Sequence, residues 1–171
     1  GAAVYGPYGG AGWGAAYNPT TGTYARGAYV YGPYGSAARG AAYNPTTGTY
    51  ARGASASGAY GSAAAGRAYN PTTDTYAASY QRSNPYASWG ESVVTRGDEW
   101  VHTGYYSDSR GTVAGAETSQ GGRAGTVQTD RGAVAGVETA QGGRAGAVQT
   151  DQGTAYAAKD ADNNLYAGKD G

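Results

Sequence analysis

The sequence predicts an all-β fold, an antiparallel hairpin-repeat array drawn out as an extended β-meander, and three observations predict it. Eight residues recur with a step of 26: YNPTTGTY at 17–24 and 43–50, and YNPTTDTY at 69–76. A second turn-like element keeps that step, as Gly6-Pro7-Tyr8-Gly9, Gly32-Pro33-Tyr34-Gly35 and Gly58-Ala59-Tyr60-Gly61, with Asn84-Pro85-Tyr86 following. The large aliphatics of ordinary cores are scarce: ten Val, Leu165 alone, and no Ile, Phe or Met among 171 residues.

The first turn is written in residue chemistry. Asn18, Asn44 and Asn70 can cap their own backbone two residues on, and Pro19, Pro45 and Pro71 preset φ near −65° at the first corner. Gly22 and Gly48 take the left-handed position that closes a hairpin with a bulge. The third copy has Asp74 there, which tolerates that region at some cost, so its hairpin should be the loosest. Tyr17 and Tyr24, Tyr43 and Tyr50, and Tyr69 and Tyr76 flank the three turns as strand residues able to meet across each pair.

Between turns the pattern alternates. TYARGAYVY (23–31) places Tyr24, Arg26, Ala28 and Val30 on one side and Ala25, Gly27, Tyr29 and Tyr31 on the other. Ala-rich stretches such as SAARGAAY (36–43) have helical propensity, but Gly interrupts each one, and a helix under ten residues is marginal in water.

A second repeat follows. GTVAGAETSQGGRAGTVQTDR (111–131) recurs as GAVAGVETAQGGRAGAVQTDQ (132–152), with a degenerate third copy from 153. The organisation expected is therefore 26-residue hairpin repeats over 1–90, an adapter hairpin over 91–110 turning at Gly97-Asp98-Glu99, and 21-residue Gly/Ala/Val repeats over 111–171. Fourteen or fifteen strands result. The alternative is a β-solenoid with parallel rungs of 26 and then 21 residues, which periodicity permits; the tight turns favour hairpins.

So few aliphatics would ordinarily signal disorder, yet the net charge is zero and there are 18 Tyr and three Trp. Closely packed Gly and Ala surfaces, as in silk-like sheets, with Tyr, Trp13, Trp89, Trp100 and the Val residues supplying most of the packing, are the remaining option. Such units gain from assembly with copies of themselves. Charge is divided: residues 1–90 hold five Arg and one acid, residues 91–171 seven bases and eleven acids.

Reactive chemistry is sparse. There is no Cys, hence no disulfide or thiolate site. His102 has no nucleophile motif beside it and reads as a structural strand residue. Glu117 and Glu138 occupy equivalent repeat positions, where they could approach one another, with Arg123 and Arg144 as cross-strand partners. Asp160, Asp162 and Asn164 open a calcium-loop pattern, but Leu165 stands where Gly is required and no bidentate Glu follows, so an Asx-rich turn is the reading. Arg96-Gly97-Asp98 spells an integrin-ligand tripeptide, for which a turn before Glu99-Trp100 is a sufficient reading. Arg26, Arg39, Arg52 and Arg67 interleave with Tyr; solvated or Tyr-stacking positions are expected in preference to nucleic-acid contacts. Thr20, Thr21, Thr46 and Thr47 offer O-glycosylation acceptors. No apolar run reaches membrane-spanning length, and a signal peptide, if one existed, has been removed.

The stretch YNPTTGTY resembles the turn of the designed hairpin chignolin, which implies an antiparallel turn-back. Over most of residues 1–90, AAYNPTTGTYARGA and GPYGSAARGAAYNP resemble the Tyr/Gly/Ala repeats of uncharacterised bacterial proteins with AYNPxTGTYARGA units. YAGKDG at the end fits the same group. More loosely, the Tyr-Asn-turn-Gly-Thr-Tyr order is similar to YD repeats of secreted bacterial shells. The resemblance implies a bacterial, extracellular or cell-surface setting and no reaction. The expectation is a structural, non-enzymatic module that self-associates into a fibre or matrix, with no cofactor, nucleic acid or membrane span. The alternative is an adhesin or carbohydrate-binding module that grips polysaccharide or cell envelope through exposed Tyr and Trp.

Overall fold

A computed structural model describes residues 1–170 as fifteen β-strands and no helix. The first eight are β1 (Ala2–Gly6), β2 (Gly9–Asn18), β3 (Thr23–Gly32), β4 (Gly35–Asn44), β5 (Thr49–Gly58), β6 (Gly61–Asn70), β7 (Thr75–Ser83) and β8 (Ala87–Arg96). The rest are β9 (Glu99–Asp108), β10 (Gly111–Thr118), β11 (Arg123–Thr129), β12 (Gly132–Glu138), β13 (Arg144–Thr150), β14 (Gly153–Lys159) and β15 (Leu165–Asp170). They follow one another in order as one antiparallel meander. Neighbours consecutive in sequence and antiparallel in direction exclude the parallel solenoid.

Two compact units divide the chain: Gly1–Pro85 with Ser92–Gly97, and Tyr86–Glu91 with Asp98–Gly171.

In the first unit the predicted turns form as written. Pro19 to Gly22 links β2 to β3, and the Thr20 amide donates to Asn18 Oδ1 at 2.9 Å. Thr46 to Asn44 and Thr72 to Asn70 repeat that bond at 2.9 Å. Gly22 and Gly48 both have φ 68°, and Asp74 is held at φ 47°. Successive turns also touch one another, since Thr72 Oγ1 donates to the Thr47 carbonyl at 2.8 Å. At the opposite strand ends Pro7-Tyr8, Pro33-Tyr34 and Ala59-Tyr60 close two-residue loops, and the three tyrosines there are the most exposed large hydrophobic residues among those described in the unit. Ten-residue strands between four- and two-residue loops produce the 26-residue period.

In the second unit the strands shorten from ten residues in β9 to seven in β11–β14, and the turns change chemistry. The Thr139 amide donates to the Gly143 carbonyl at 2.8 Å, and the Asn164 amide donates to Asp160 Oδ1 at 2.8 Å.

No hydrophobic side chain is buried among the described residues. The chain exposes 11888 Å², where a compact protein of its mass exposes about 7,800 Å². Among the described residues only Gly12 and Gly90 are buried. Backbone ladders and half-covered side chains, worth about 25 cal/mol per Å² of apolar area removed from water, hold this sheet in place of a core.

Candidate binding face

Register turns the repeats into rows. Tyr17 pairs with Tyr24, Tyr24 with Tyr43, Tyr43 with Tyr50, Tyr50 with Tyr69 and Tyr69 with Tyr76, so six tyrosines cross β2–β7 side by side. The Tyr17 and Tyr24 ring centroids lie 4.6 Å apart, tilted by 34°. Side chains alternate along each strand, so the positions two residues further on share this face. Arg26 of β3, Arg52 of β5 and Arg67 of β6 stand there beside the Tyr row, with Arg39 of β4 one further position along. Trp13, 62% exposed, and Tyr80 belong to the same face.

The four arginines line one shallow concavity together with Tyr50 and Tyr76. All four are exposed, and among the described residues none lies within ion-pair distance of a carboxylate. Arg52 is the direct register partner of Arg67. The unit's six arginines face one acid, Asp74, which sits in a turn.

The other face is small and uncharged over most of β4–β7, while on β3 it carries Tyr29 and Tyr31. Ala16, Ala25, Ala42, Ala51, Ala68 and Ala77 form one row. Beside it run Gly14, Gly27, Gly40, Gly53 and Gly66, ending at Ser79. Ser36 and Ser57, and likewise Ser62 and Ser83, join hydroxyls at 2.8 Å.

The second unit carries a charge row. Glu117, Arg123, Glu138, Arg144 and Lys159 follow one another in register across β10–β14. The Arg144 guanidinium donates to Glu138 Oε1 at 2.7 Å, and Arg123 reaches Glu117 at 4.0 Å. Both expected pairings thus form; the two glutamates do not approach each other, because Arg123 stands between them. His102 lies between two carboxylates, with Nε2 3.5 Å from Glu91 and Nδ1 3.9 Å from Glu117. Trp89 is half-buried in β8, and the Trp100 amide donates to Ser119 Oγ at 3.0 Å.

The remaining motif residues sit in turns. Asp160 accepts from both the amide and the side-chain nitrogen of Asn164 at 2.8 Å, which holds its carboxyl below the ordinary 3.8. No group of three His, Cys, Asp or Glu suited to a metal occurs among the described residues. Arg96 ends β8, and Gly97, at φ 56°, begins the turn that contains Asp98.

Two features escaped the sequence reading. One is the convergence of unpaired arginines beside the Tyr row. Its signal was present, since Arg recurs two residues from Tyr at 26, 52 and 67, but only register shows that the strands bring them together. The other is the seating of Tyr29, Tyr31 and Tyr156 over glycines of neighbouring strands, Gly12, Gly10 and Gly168.

Comparison with family models, with curated proteins and with solved structures returns no match.

Proposed function

We propose that this is a structural β-repeat protein, extracellular or at a bacterial cell surface, that self-associates into a fibre or matrix. The absence of any buried hydrophobic side chain among the described residues carries the reading. A sheet that keeps both faces open gains apolar burial only by meeting another surface. The uncharged Ala, Gly and Ser panel of β4–β7 suits that meeting, since small side chains let two sheets approach closer than the usual ~10 Å. Its counterpart is a second copy of the same panel, with no like charges to oppose it. The extracellular setting rests on the resemblance of the 26-residue units.

Sedimentation of the purified chain across a range of concentrations, with electron microscopy of the same samples, tests this. Concentration-dependent growth into particles of uniform width is expected. A monomer that persists at high concentration and melts in one sharp transition would sink it.

A further inference from the structure

We propose that the Tyr–Arg face of β2–β7 binds an acidic polysaccharide laid across the strands, one carboxylate-bearing sugar to each arginine strand. Four consecutive strands, β3 to β6, each present one arginine: Arg26, Arg39, Arg52 and Arg67. Strands advance by about 4.8 Å, close to the length that one pyranose adds to a polymer. A uronic-acid chain therefore repeats its charge strand by strand, meeting Arg26, Arg52 and Arg67 on one register line and Arg39 one same-face position beside it. The Tyr row runs alongside, two residues from Arg26, Arg52 and Arg67 on the same strands, roughly 6.7 Å, and four residues from Arg39. A chain lying there meets guanidinium forks that match carboxylate geometry on one side and phenol rings with hydroxyls on the other.

The arginines need such a partner. None has an ion pair of its own among the described residues, and Arg52 directly faces Arg67. Like charges opposite each other destabilise a strand pair, and an anion bound between them reverses that sign.

Other occupants fit less well. The same face of a second copy would set arginine against arginine. A neutral glycan would leave four guanidinium groups unused. A single-stranded nucleic acid needs aromatic faces open to its bases, and at one end of the row Tyr17 and Tyr24, at 4.6 Å, cover each other and leave no slot between them. The proposal is independent of self-association, which uses the opposite face.

The test measures binding of polygalacturonate to the full chain, with fully methyl-esterified polygalacturonate and single-stranded DNA as competitors. Retention of the acid polymer at low salt is expected, with release near 1 M salt, where screening acts within about 3 Å. Each of Arg26→Gln, Arg39→Gln, Arg52→Gln and Arg67→Gln should weaken binding roughly two- to fivefold, and all four together more than about tenfold. Arg110→Gln with Arg131→Gln, in turns of the second unit, should change nothing. Circular dichroism checks the fold; should the fourfold variant fail to fold, the single variants decide. Equal retention of the esterified polymer, unchanged binding by the arginine variants, or no binding at all overturns the proposal. Tighter binding of DNA also overturns it, in favour of a nucleic-acid platform.

Discussion

The phenol ring of Tyr29 lies over Gly12, its register partner on β2, and fills the space that a side chain at position 12 would take. Gly12 is buried for this reason in a sheet that buries almost nothing. Tyr31 does the same to Gly10, and the Tyr29 hydroxyl reaches that of Tyr5 at 3.0 Å. An aromatic ring over a cross-strand glycine is one of the few ways such a sheet can cover apolar surface without a second layer.

Glycines of this chain should therefore fall into two classes. In Gly12→Ala the new methyl meets first the end of the Tyr29 ring, which can swing aside, so the cost should stay within about 1 kcal/mol. In Gly61→Ala the methyl would run into the Ser83 carbonyl on the next strand, at φ 135°. Losses of about 1–3 kcal/mol are expected there. Urea melts of the two variants make the comparison, and equal losses would show that the ring over Gly12 is as rigid as backbone.

The third turn carries a conformational cost that the first two do not. Asp74 sits at φ 47° where Gly22 and Gly48 sit at 68°. Asp74→Gly should stabilise the β6–β7 hairpin by up to about 1 kcal/mol, less what the Tyr69 hydroxyl loses, since it donates to Asp74 Oδ1 at 3.3 Å. Hydrogen exchange at the Thr75 amide reads the change locally, and faster exchange in the variant would contradict it.

Two turns should respond to acid. The Arg110 side chain, donating to Asp108 at 2.6 Å, holds that carboxyl below 3.8, as Asn164 does for Asp160. A folded pKa below the unfolded one stabilises above the unfolded value, and the gain disappears as pH falls through the folded value. Both turns should stay closed at pH 4 and open below it. The Tyr29 phenol moves the other way: its bond to Tyr5 raises it above 10.0, so that stabilisation is present below 10.0 and lost as pH climbs through the raised value. Amide shifts of Arg110 and Asn164 across an acid titration check the first pair. In Arg110→Gln the Asp108 midpoint should return toward its ordinary value.

Much of this architecture was legible because its turns are local. Asn18, Pro19 and Gly22 specify a reversal within six residues, and once that turn is fixed Tyr17 must face Tyr24. Alternation then assigns Arg26 and Val30 to the Tyr side without further information. The 21-residue repeat yielded its pairs by the same logic, Glu138 with Arg144 across one turn. What stayed hidden depends on register summed over several turns. Nothing near Gly12 in sequence announces Tyr29, 17 positions on, and nothing near Arg52 announces Arg67 opposite it. Nor does local pattern decide whether six tyrosines enclose a core or pave an open face; that depends on a second layer, which no repeat encodes.

The opposition of Arg52 and Arg67 gives the last prediction, and it separates stability from binding. Two guanidinium groups directly across a strand pair repel, so Arg52→Thr should stabilise the first unit by a few tenths of a kcal/mol, helped by the β propensity of Thr. The gain should shrink in high salt, where exposed charges no longer sense each other. Adding Arg67→Thr should contribute less than it does alone, because the repulsion is already gone. Urea melts of the two single variants and the double, at low and high salt, measure the coupling. With polygalacturonate present the order should invert: a ligand that binds only the folded chain raises its stability, and the parent, with both arginines, should gain more than Arg52→Thr. Destabilisation by Arg52→Thr alone would mean that the aliphatic stem of Arg52 packs on its neighbours more than its charge repels them.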